Sequence, residues 1–155
     1  MTKLTEHFTL EELTHTEVRQ HSNLCPANLL PDLLGTAAML ERIRQSLSAE
    51  AERGIPLRIS SGYRSQAVNA AVGGSPHSDH LRGTAADFTA PGFGTPFEVA
   101  KHLAARVDEL GIGQVILEFA RWVHVSTRTP ALAVNRIITY TVAGAPPSVG
   151  VVEVA

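Results

Sequence analysis

The amino-acid sequence predicts an α+β fold in which helices pack on a small antiparallel sheet. Three observations indicate it. Apolar residues recur at helical spacing mainly in the first half of the chain, strand-like runs come mostly later, and two of those runs, 114–119 and 122–126, are close enough to form a hairpin. Helices first and strands later are typical of an α+β domain with an antiparallel sheet.

The composition limits what the chain can be. With 155 residues, 44% of them apolar and 18% charged, the chain has the length and the core-forming capacity of one globular unit, so we predict a single domain over 1–155. The net charge of −2 gives no electrostatic reason to expect nucleic acid or an anionic membrane as a partner. No run approaches about 18 apolar residues, which excludes a membrane span. The lone Cys25 excludes an internal disulfide and a CxxC zinc site. We expect the protein to be a monomer.

The first elements are mainly helical. Residues 9–12 (TLEE) fit a capping box, which predicts a short helix from about Leu10. From about Pro31 the apolar residues recur at helical spacing and predict the main amphipathic helix, which should end before Gly54. Residues 57–60 alternate between apolar and polar side chains and predict a short strand.

The middle of the chain combines short helices with one strand. Ser65 can cap a helix that runs through Val72, and residues 85–89 predict a strand. Residues 95–98 (TPFE) form a second capping box with proline at the first helical position. One continuous helix up to Gly111 is predicted, because its apolar stripe consists of Phe97, Ala100, Ala104, Val107 and Leu110.

The last part of the chain reads mostly as strands. We interpret 114–119 and 122–126 as a hairpin, and 135–142 and 149–154 as one or two further strands. Residues 143–155, which include the sequence GAPP, predict a looser C-terminal tail.

Two histidines and an aspartate could act as metal ligands. His80 lies in a loop before the strand 85–89, and Asp87 shares one face of that strand with the small Ala85, which leaves room for an ion. In the hairpin, His124 would lie on the face opposite the core-directed valines. A catalytic zinc takes three nitrogen or oxygen ligands and keeps a fourth position for water, and this set meets that requirement.

These residues stand in an ordered motif that resembles a known family. Residues 78–87 read S-x-H-x-x-G-x-A-x-D and Trp122–Ser126 reads W-V-H-V-S, a pattern similar to the signature of the zinc D-alanyl-D-alanine carboxypeptidases. That family is grouped with the lysostaphin-type peptidases and the hedgehog signalling domain. The likeness covers roughly 8–126 and also takes in 60–65 (SSGYRS), Asn69, 72–74 (VGG) and the opening 8–13, which resembles short peptidase-like proteins of bacteriophages.

The resemblance implies a function and a set of site residues. It implies a cleft at the sheet in which one Zn²⁺ is held by His80, Asp87 and His124, and a peptidase that hydrolyses bonds in peptidoglycan stem peptides as a carboxypeptidase or an endolysin-type endopeptidase. In the family the arginine that matches Arg64 binds a substrate carboxylate or steadies the developing oxyanion. Ser78 and Trp122 are predicted to contribute to substrate binding, Trp122 as a wall of the cleft.

Glu118 is the candidate general base, and its position depends on the hairpin loop. With a three-residue loop Glu118 pairs with Trp122 and shares the cleft face with His124, whereas with a two-residue loop it pairs with Val123 and points at the core. Part of the family has a glutamate three residues before the last zinc histidine, and this chain has Arg121 there. Glu118 could instead hold a ligand histidine through a hydrogen bond.

Two further functions remain open on the sequence. A non-catalytic, zinc-stabilised structural or binding module of a phage particle is the first, because Arg121 cannot act as a base. An intracellular dipeptidase acting on D-Ala-D-Ala is the second.

The remaining expectations concern location and the other polar residues. The start of the chain has neither the basic nor the apolar segment of a secretory signal, so we expect cytoplasmic synthesis, with release by phage lysis or packaging into a particle implied by the resemblance. Asp79 is expected to be solvated. Surface positions are expected for His7, His15, His21, His77 and His102.

Overall fold

A computed structural model describes residues 1–154. The helices within that range are α1 (Leu10–Leu13), α2 (Leu30–Ala51), α3 (Gln66–Ala71), α4 (Pro96–Ala104) and α5 (Val107–Leu110), with short 3-10 helices at Ala27–Leu29, Asp79–Arg82 and Ala133–Asn135. The strands are β1 (Arg58–Ser61), β2 (Ala85–Thr89), β3 (Gln114–Glu118), β4 (Trp122–Ser126), β5 (Ile137–Tyr140) and β6 (Ser148–Val149). In this part of the chain no helix is long and apolar enough to cross a membrane.

The strands form one sheet, which confirms the α+β class. Their order across the described residues is β1-β2-β4-β3-β5-β6. Every pair is antiparallel except β3 and β5, which run parallel, so the sheet is mixed rather than wholly antiparallel. The difference arises after β4, where the chain crosses through the 3-10 helix Ala133–Asn135 and returns beside β3 in the same direction.

Alternation along the central strands separates a core face from an open face. Ala86, Phe88, Val115, Leu117, Val123 and Val125 point to the core. There they pack with buried residues of the helices, among them Leu33, Leu40, Ile43, Leu47, Val99 and Leu103. The other face carries Asp87, Ile116, Glu118, Trp122 and His124, which all line a cavity. The period of two in a strand therefore places every predicted site residue of the sheet on the side away from the helices.

The N-terminal segment is joined to the sheet at Gly62. The Thr9 side chain and Glu12 form the predicted capping box of α1, and the Leu13 carbonyl at its end accepts a hydrogen bond from the Tyr63 backbone N–H at 2.7 Å. A Cβ at Gly62 would collide with the Leu13 carbonyl oxygen, so only glycine permits this close approach.

Three regions differ from the sequence expectations. The helix predicted to be continuous up to Gly111 is two helices, because Arg106 leaves the helical conformation at φ −133°, and its guanidinium bonds the His102 carbonyl at 2.8 Å. The surface position expected for His102 is wrong, since this residue is only 9% exposed and its Nε2 lies 2.8 Å from the Ser46 hydroxyl of α2. The C-terminal tail, expected to be looser, supplies β6. The backbone N–H groups of Gly150 and Val152 also bond to residues of β5. Ala155 lies outside the described residues.

Candidate metal centre

Three buried side chains converge on the open face of the sheet. Asp87 of β2 and His124 of β4 are direct cross-strand partners, and His80 approaches from the 3-10 helix Asp79–Arg82. The three residues offer ligand atoms that all lie within 4.8 Å of one another. The Asp87 carboxylate lies between the two rings, with Oδ1 2.8 Å from His124 Nδ1 and Oδ2 3.2 Å from His80 Nε2. We refer to these three residues as the His–Asp–His cluster.

The tautomer of His80 is fixed by its surroundings. Its Nδ1 lies 2.6 Å from the Gly62 carbonyl, which can only accept, so Nδ1 carries the proton. His80 Nε2 is then an unprotonated nitrogen, buried and without a hydrogen-bond partner among residues 1–154. A carbonyl that orients one imidazole nitrogen and leaves the other free is the arrangement that metal-binding histidines require. The cluster therefore fits a divalent metal ion such as zinc in both donor types and geometry.

The charges within the cluster are strongly coupled. Burial alone would raise the pKa of Asp87, but His80 and His124 outweigh it and hold that pKa well below its usual range. Burial also opposes a charge on His124, yet the contact with Asp87 raises the pKa of this ring. Burial lowers the pKa of His80. The cluster thus favours an ionised carboxylate and a neutral His80, the protonation states a metal ligand needs, whereas His124 has to release a proton when an ion binds.

The hairpin has the three-residue loop, 119–121, of the two alternatives considered. Glu118 pairs with Trp122, and Phe119 and Ala120 have φ values of 56° and 55°, the positive values that a type I′ turn needs at both central positions. Arg121 closes the turn by donating its N–H to the Glu118 carbonyl at 2.9 Å. Glu118 consequently lies on the face that carries His124, with Oε1 3.9 Å from His124 Nδ1.

The environment of Glu118 perturbs its acidity. The side chain is 22% exposed, and burial, followed by repulsion from Asp87, raises the pKa of its carboxyl group. His124 and Arg64 act in the opposite direction without cancelling the rise. A carboxyl group with a raised pKa beside a metal-binding cluster is typical of residues that transfer protons.

Arg64 is held next to the cluster by neutral partners. Its Nε donates to the Ser61 hydroxyl at 3.1 Å and Nη1 donates to the Asn69 amide oxygen at 2.9 Å. Nη2 lies 3.6 Å from Asp87 Oδ2, and the side chain is 15% exposed. The guanidinium is therefore fixed in position at the edge of the cluster, with part of its charge directed into the cavity.

The cluster opens into a large cavity, which we call the cleft. Its volume is about 990 Å³, and its lining includes the cluster together with Arg64, Ser78, Glu118 and Trp122. Ser78 also has a local role, because its hydroxyl caps the Asp79–Arg82 helix by accepting from the His80 N–H at 3.2 Å. The Trp122 ring packs edge-on against Phe119, with ring centroids 5.6 Å apart. Arg121 is exposed and is not part of the lining within the described chain.

Asp79 is the polar residue whose place the sequence analysis missed. It was expected to be solvated, but its side chain is 17% exposed and carries two hydrogen bonds. Ser126 Oγ donates to Oδ2 at 2.7 Å and Arg128 Nη1 donates to Oδ1 at 2.8 Å. Both partners are more than 45 residues away in sequence, so no local pattern could have indicated them.

An α+β sheet with a buried His–Asp–His cluster, a nearby carboxyl group and a fixed guanidinium in one cleft has the composition of a hydrolytic metal centre. A profile of the peptidase M15 family matches residues 6–126, and the chain belongs to that family. It is therefore a metallopeptidase of the group that includes the zinc D-Ala-D-Ala carboxypeptidases. No curated protein sequence matches the chain significantly.

Proposed function

We propose that this protein is a zinc metallopeptidase that hydrolyses peptide bonds in the stem peptides of peptidoglycan. The single observation that carries the proposal is the His–Asp–His cluster, which opens into a cleft that also contains Glu118 and Arg64. The membership in the M15 family supports peptide hydrolysis. The volume of about 990 Å³ is large enough for several residues of an extended peptide.

His80, Asp87 and His124 would hold the ion. When bound, zinc supplies Lewis acidity, which polarises a scissile carbonyl and lowers the pKa of water toward about 7. The Gly62 carbonyl keeps His80 in the tautomer that presents Nε2, and the direct pairing of β2 with β4 keeps Asp87 and His124 on one face. The chain thus orients all three donors before substrate arrives.

Glu118 is the residue placed to move protons. It reaches the cluster from the neighbouring strand, 3.9 Å from His124 Nδ1, and it lines the cleft. In the proposed reaction its carboxylate accepts the proton of the attacking water and returns it to the leaving amine, a contribution of about 10²–10⁴-fold in rate.

Arg64 would stabilise negative charge in the substrate. Its guanidinium keeps its charge at any relevant pH and presents several donors, which suits a carboxylate or the oxyanion that develops on the scissile carbonyl. The hydrogen bonds to Ser61 and Asn69 hold it in place, so little side-chain entropy is lost on binding.

The proposal is tested by incubating the zinc-loaded protein with purified muropeptides and, separately, with free D-Ala-D-Ala, and by identifying the products by mass spectrometry. New stem fragments are expected. Release of free D-alanine alone indicates a carboxypeptidase, larger fragments indicate an endopeptidase, and activity only on the free dipeptide indicates a dipeptidase. If no substrate is cleaved at full zinc occupancy, the proposed activity is wrong.

A zinc-stabilised module without turnover is the second candidate function. It is favoured by Arg121, which stands where part of the family has its base and lies outside the cleft. Wild type is compared with Glu118→Gln and, as a matched control, with Glu109→Gln on the exposed surface of α5. If all three hold zinc and bind stem peptide but none cleaves it, the module is correct. Loss of cleavage in Glu118→Gln alone identifies Glu118 as the base.

A further inference from the structure

One wall of the cleft is built by residues that follow the family match. The match ends at residue 126, and the lining beyond it consists of 128–131 together with Tyr140, Ala143 and Gly144. We call these residues the outer wall. Its one charged side chain within the described chain is Arg128. The outer wall therefore brings a positive charge to the cleft that the family-matched part of the chain does not supply.

Two hydrogen bonds hold Arg128 in place. Its Nη1 donates to Asp79 Oδ1 at 2.8 Å, and its backbone N–H donates to Ser126 Oγ at 3.1 Å. Ser126 is fully buried and donates in turn to Asp79 Oδ2 at 2.7 Å. The guanidinium is thus anchored at one nitrogen while the side chain stays 47% exposed, so its remaining N–H groups can meet a ligand.

A second cation, Arg82, also contributes to the cleft. It ends the 3-10 helix that begins at Asp79, it lines the cleft, and it is exposed. Among residues 1–154 its guanidinium makes no ion pair and no hydrogen bond. The segments that carry Arg82 and Arg128 are joined by the hydrogen bond from Thr127 N–H to the Thr84 carbonyl, at 2.9 Å. Both arginines line the cleft, and Arg128 is bonded to Asp79, the first residue of the short helix that Arg82 ends.

These two arginines are distinct from Arg64. The Arg64 guanidinium lies on the floor of the cleft, where it is bonded to Ser61 and Asn69 and lies 3.6 Å from Asp87. Asp79 pairs with Arg128 and neutralises its charge, so the positive charge of Arg82 stays uncompensated. The acidic groups of the floor, Asp87 and Glu118, are on the sheet rather than on the outer wall.

We propose that Arg82 and Arg128 form a second carboxylate subsite, which binds a free carboxylate of a peptide substrate at a distance from the scissile bond. The identity of the peptide rests on the proposed function. The subsite adds the requirement that this peptide carries a free carboxylate away from the scissile bond. A stem peptide offers such a group in the α-carboxylate of its isoglutamyl residue, which is absent when that group is amidated. Guanidinium and carboxylate pair through charge-assisted hydrogen bonds, and a pre-positioned Arg128 reduces the entropy lost in forming them.

The test measures equilibrium binding to zinc-loaded protein that carries Glu118→Gln, so that the peptides survive. Two synthetic stem pentapeptides are compared, which differ only in a carboxylate or a carboxamide at the isoglutamyl position. We expect the carboxamide to bind about tenfold more weakly, which corresponds to one charge-assisted hydrogen-bonded pair. Arg82→Gln and Arg128→Gln should weaken only the carboxylate peptide, whereas Arg58→Gln, an exposed arginine outside the cleft lining, should change neither.

The outcomes separate this subsite from the peptidase activity. In the cleaving protein the carboxamide should raise KM and leave kcat nearly unchanged, because the group lies away from the reacting bond. Preference for the carboxylate without any cleavage supports the subsite and contradicts the proposed function. Equal binding of both peptides, binding of neither, or a preference that survives in Arg82→Gln would overturn the subsite. Arg82 is exposed, and its replacement removes no ion pair or side-chain hydrogen bond of the described chain.

Discussion

Among single residues, Asp79 joins the two parts of the chain that carry the histidines of the cluster. Its backbone carbonyl accepts from the Thr84 N–H and hydroxyl at 3.2 and 3.1 Å, next to His80. Its carboxylate accepts from Ser126, two residues beyond His124. A carboxylate that is mostly buried and fully hydrogen-bonded restrains its neighbours, because each lost donor leaves charge unsatisfied.

Replacing Ser126 by alanine tests this restraint. The change removes the donor to Asp79 Oδ2 and the acceptor of the Arg128 N–H at a fully buried position. We expect the free energy of unfolding to fall by about 1–3 kcal/mol. Urea denaturation followed by circular dichroism measures the change. Ser148→Ala, at an exposed residue of β6, is the control and should stay within about 0.5 kcal/mol of wild type. Equal midpoints for the Ser126→Ala and Ser148→Ala variants would contradict the prediction.

The sequence predicted some site residues and missed others for a physical reason. His80, Asp87 and His124 could be proposed as one group because their spacing forms a motif and because strand alternation places Asp87 and His124 on one face. The face on which Glu118 lies depends on the length of the hairpin loop, and the sequence alone allowed two lengths. Asp79 and the Gly62 carbonyl could not be predicted, since their roles come from tertiary contacts and not from local pattern.

Among the elements, the β3–β4 hairpin has a strained turn between its two site residues, Glu118 and Trp122. Phe119 and Ala120 both adopt positive φ, a conformation that costs about 1 kcal/mol or more for a residue with a Cβ. The turn is what brings Glu118 opposite Trp122 and onto the cleft face. The strain is thus tied to the geometry of the candidate base.

Ala120→Gly should relieve part of this strain. Ala120 is exposed, and glycine adopts its φ of 55° without a steric penalty. We expect the free energy of unfolding to rise by about 1 kcal/mol, measured from the midpoint of chemical denaturation. The same substitution at Ala49, exposed within α2, should lower it by about 1 kcal/mol. A loss of stability in both variants would show that Ala120 is unstrained.

The contact between α4 and α2 should make stability depend on pH. Burial, assisted by Arg106, lowers the pKa of His102, whose Nε2 meets Ser46. An unfolded histidine takes up its proton near pH 6.5, whereas the folded protein resists protonation until lower pH. The neutral ring therefore favours the fold above about pH 6.5, and this advantage is lost as the pH falls.

The measurement compares unfolding free energies at pH 7.5 and pH 5.0 for wild type and His102→Gln. Wild type should lose more stability on acidification than the variant, because the other titrating groups are the same in both. His21→Gln is the control for removal of an exposed imidazole. If His102→Gln and wild type lose equal stability, the buried ring does not contribute to the acid sensitivity.

Some elements are determined by local sequence and others by tertiary contacts. Both capping boxes, the limits of α2 and the hairpin follow from local sequence and were predicted from it. The break between α4 and α5 was not, because it has no proline or glycine and arises where Arg106 bonds the His102 carbonyl. The parallel position of β5 also could not be predicted, since local alternation specifies a strand but not its neighbour.

For the molecule as a whole, metal binding should stabilise the fold. The cluster joins the sheet to the Asp79–Arg82 helix, and His80 is joined in turn through Gly62 to the segment that contacts α1. An ion that binds only the folded state adds about 2.7 kcal/mol at one hundred times its dissociation constant. For a chain of 155 residues this corresponds to a Tm higher by roughly 5–10 °C.

Differential scanning fluorimetry with zinc or with a chelator measures this shift. Asp87→Asn, which keeps the size of the side chain but removes its charge, should abolish most of the increase. Asp32→Asn, at an exposed position of α2, should retain it. An equal zinc-dependent shift in the Asp87→Asn protein would mean that zinc binds elsewhere.

The direct pairing of Asp87 with His124 makes the site sensitive to insertions in a position-dependent way. One residue added in β2 before Asp87, or in β4 before His124, would turn that ligand to the opposite face, and the two ligands would no longer meet. Residues added between β2 and β3, where the chain leaves the sheet for α4 and α5, would leave that pairing unchanged. The exposed turn at 91–92, between β2 and α4, is therefore a position where new segments can be grafted without loss of the ligand geometry.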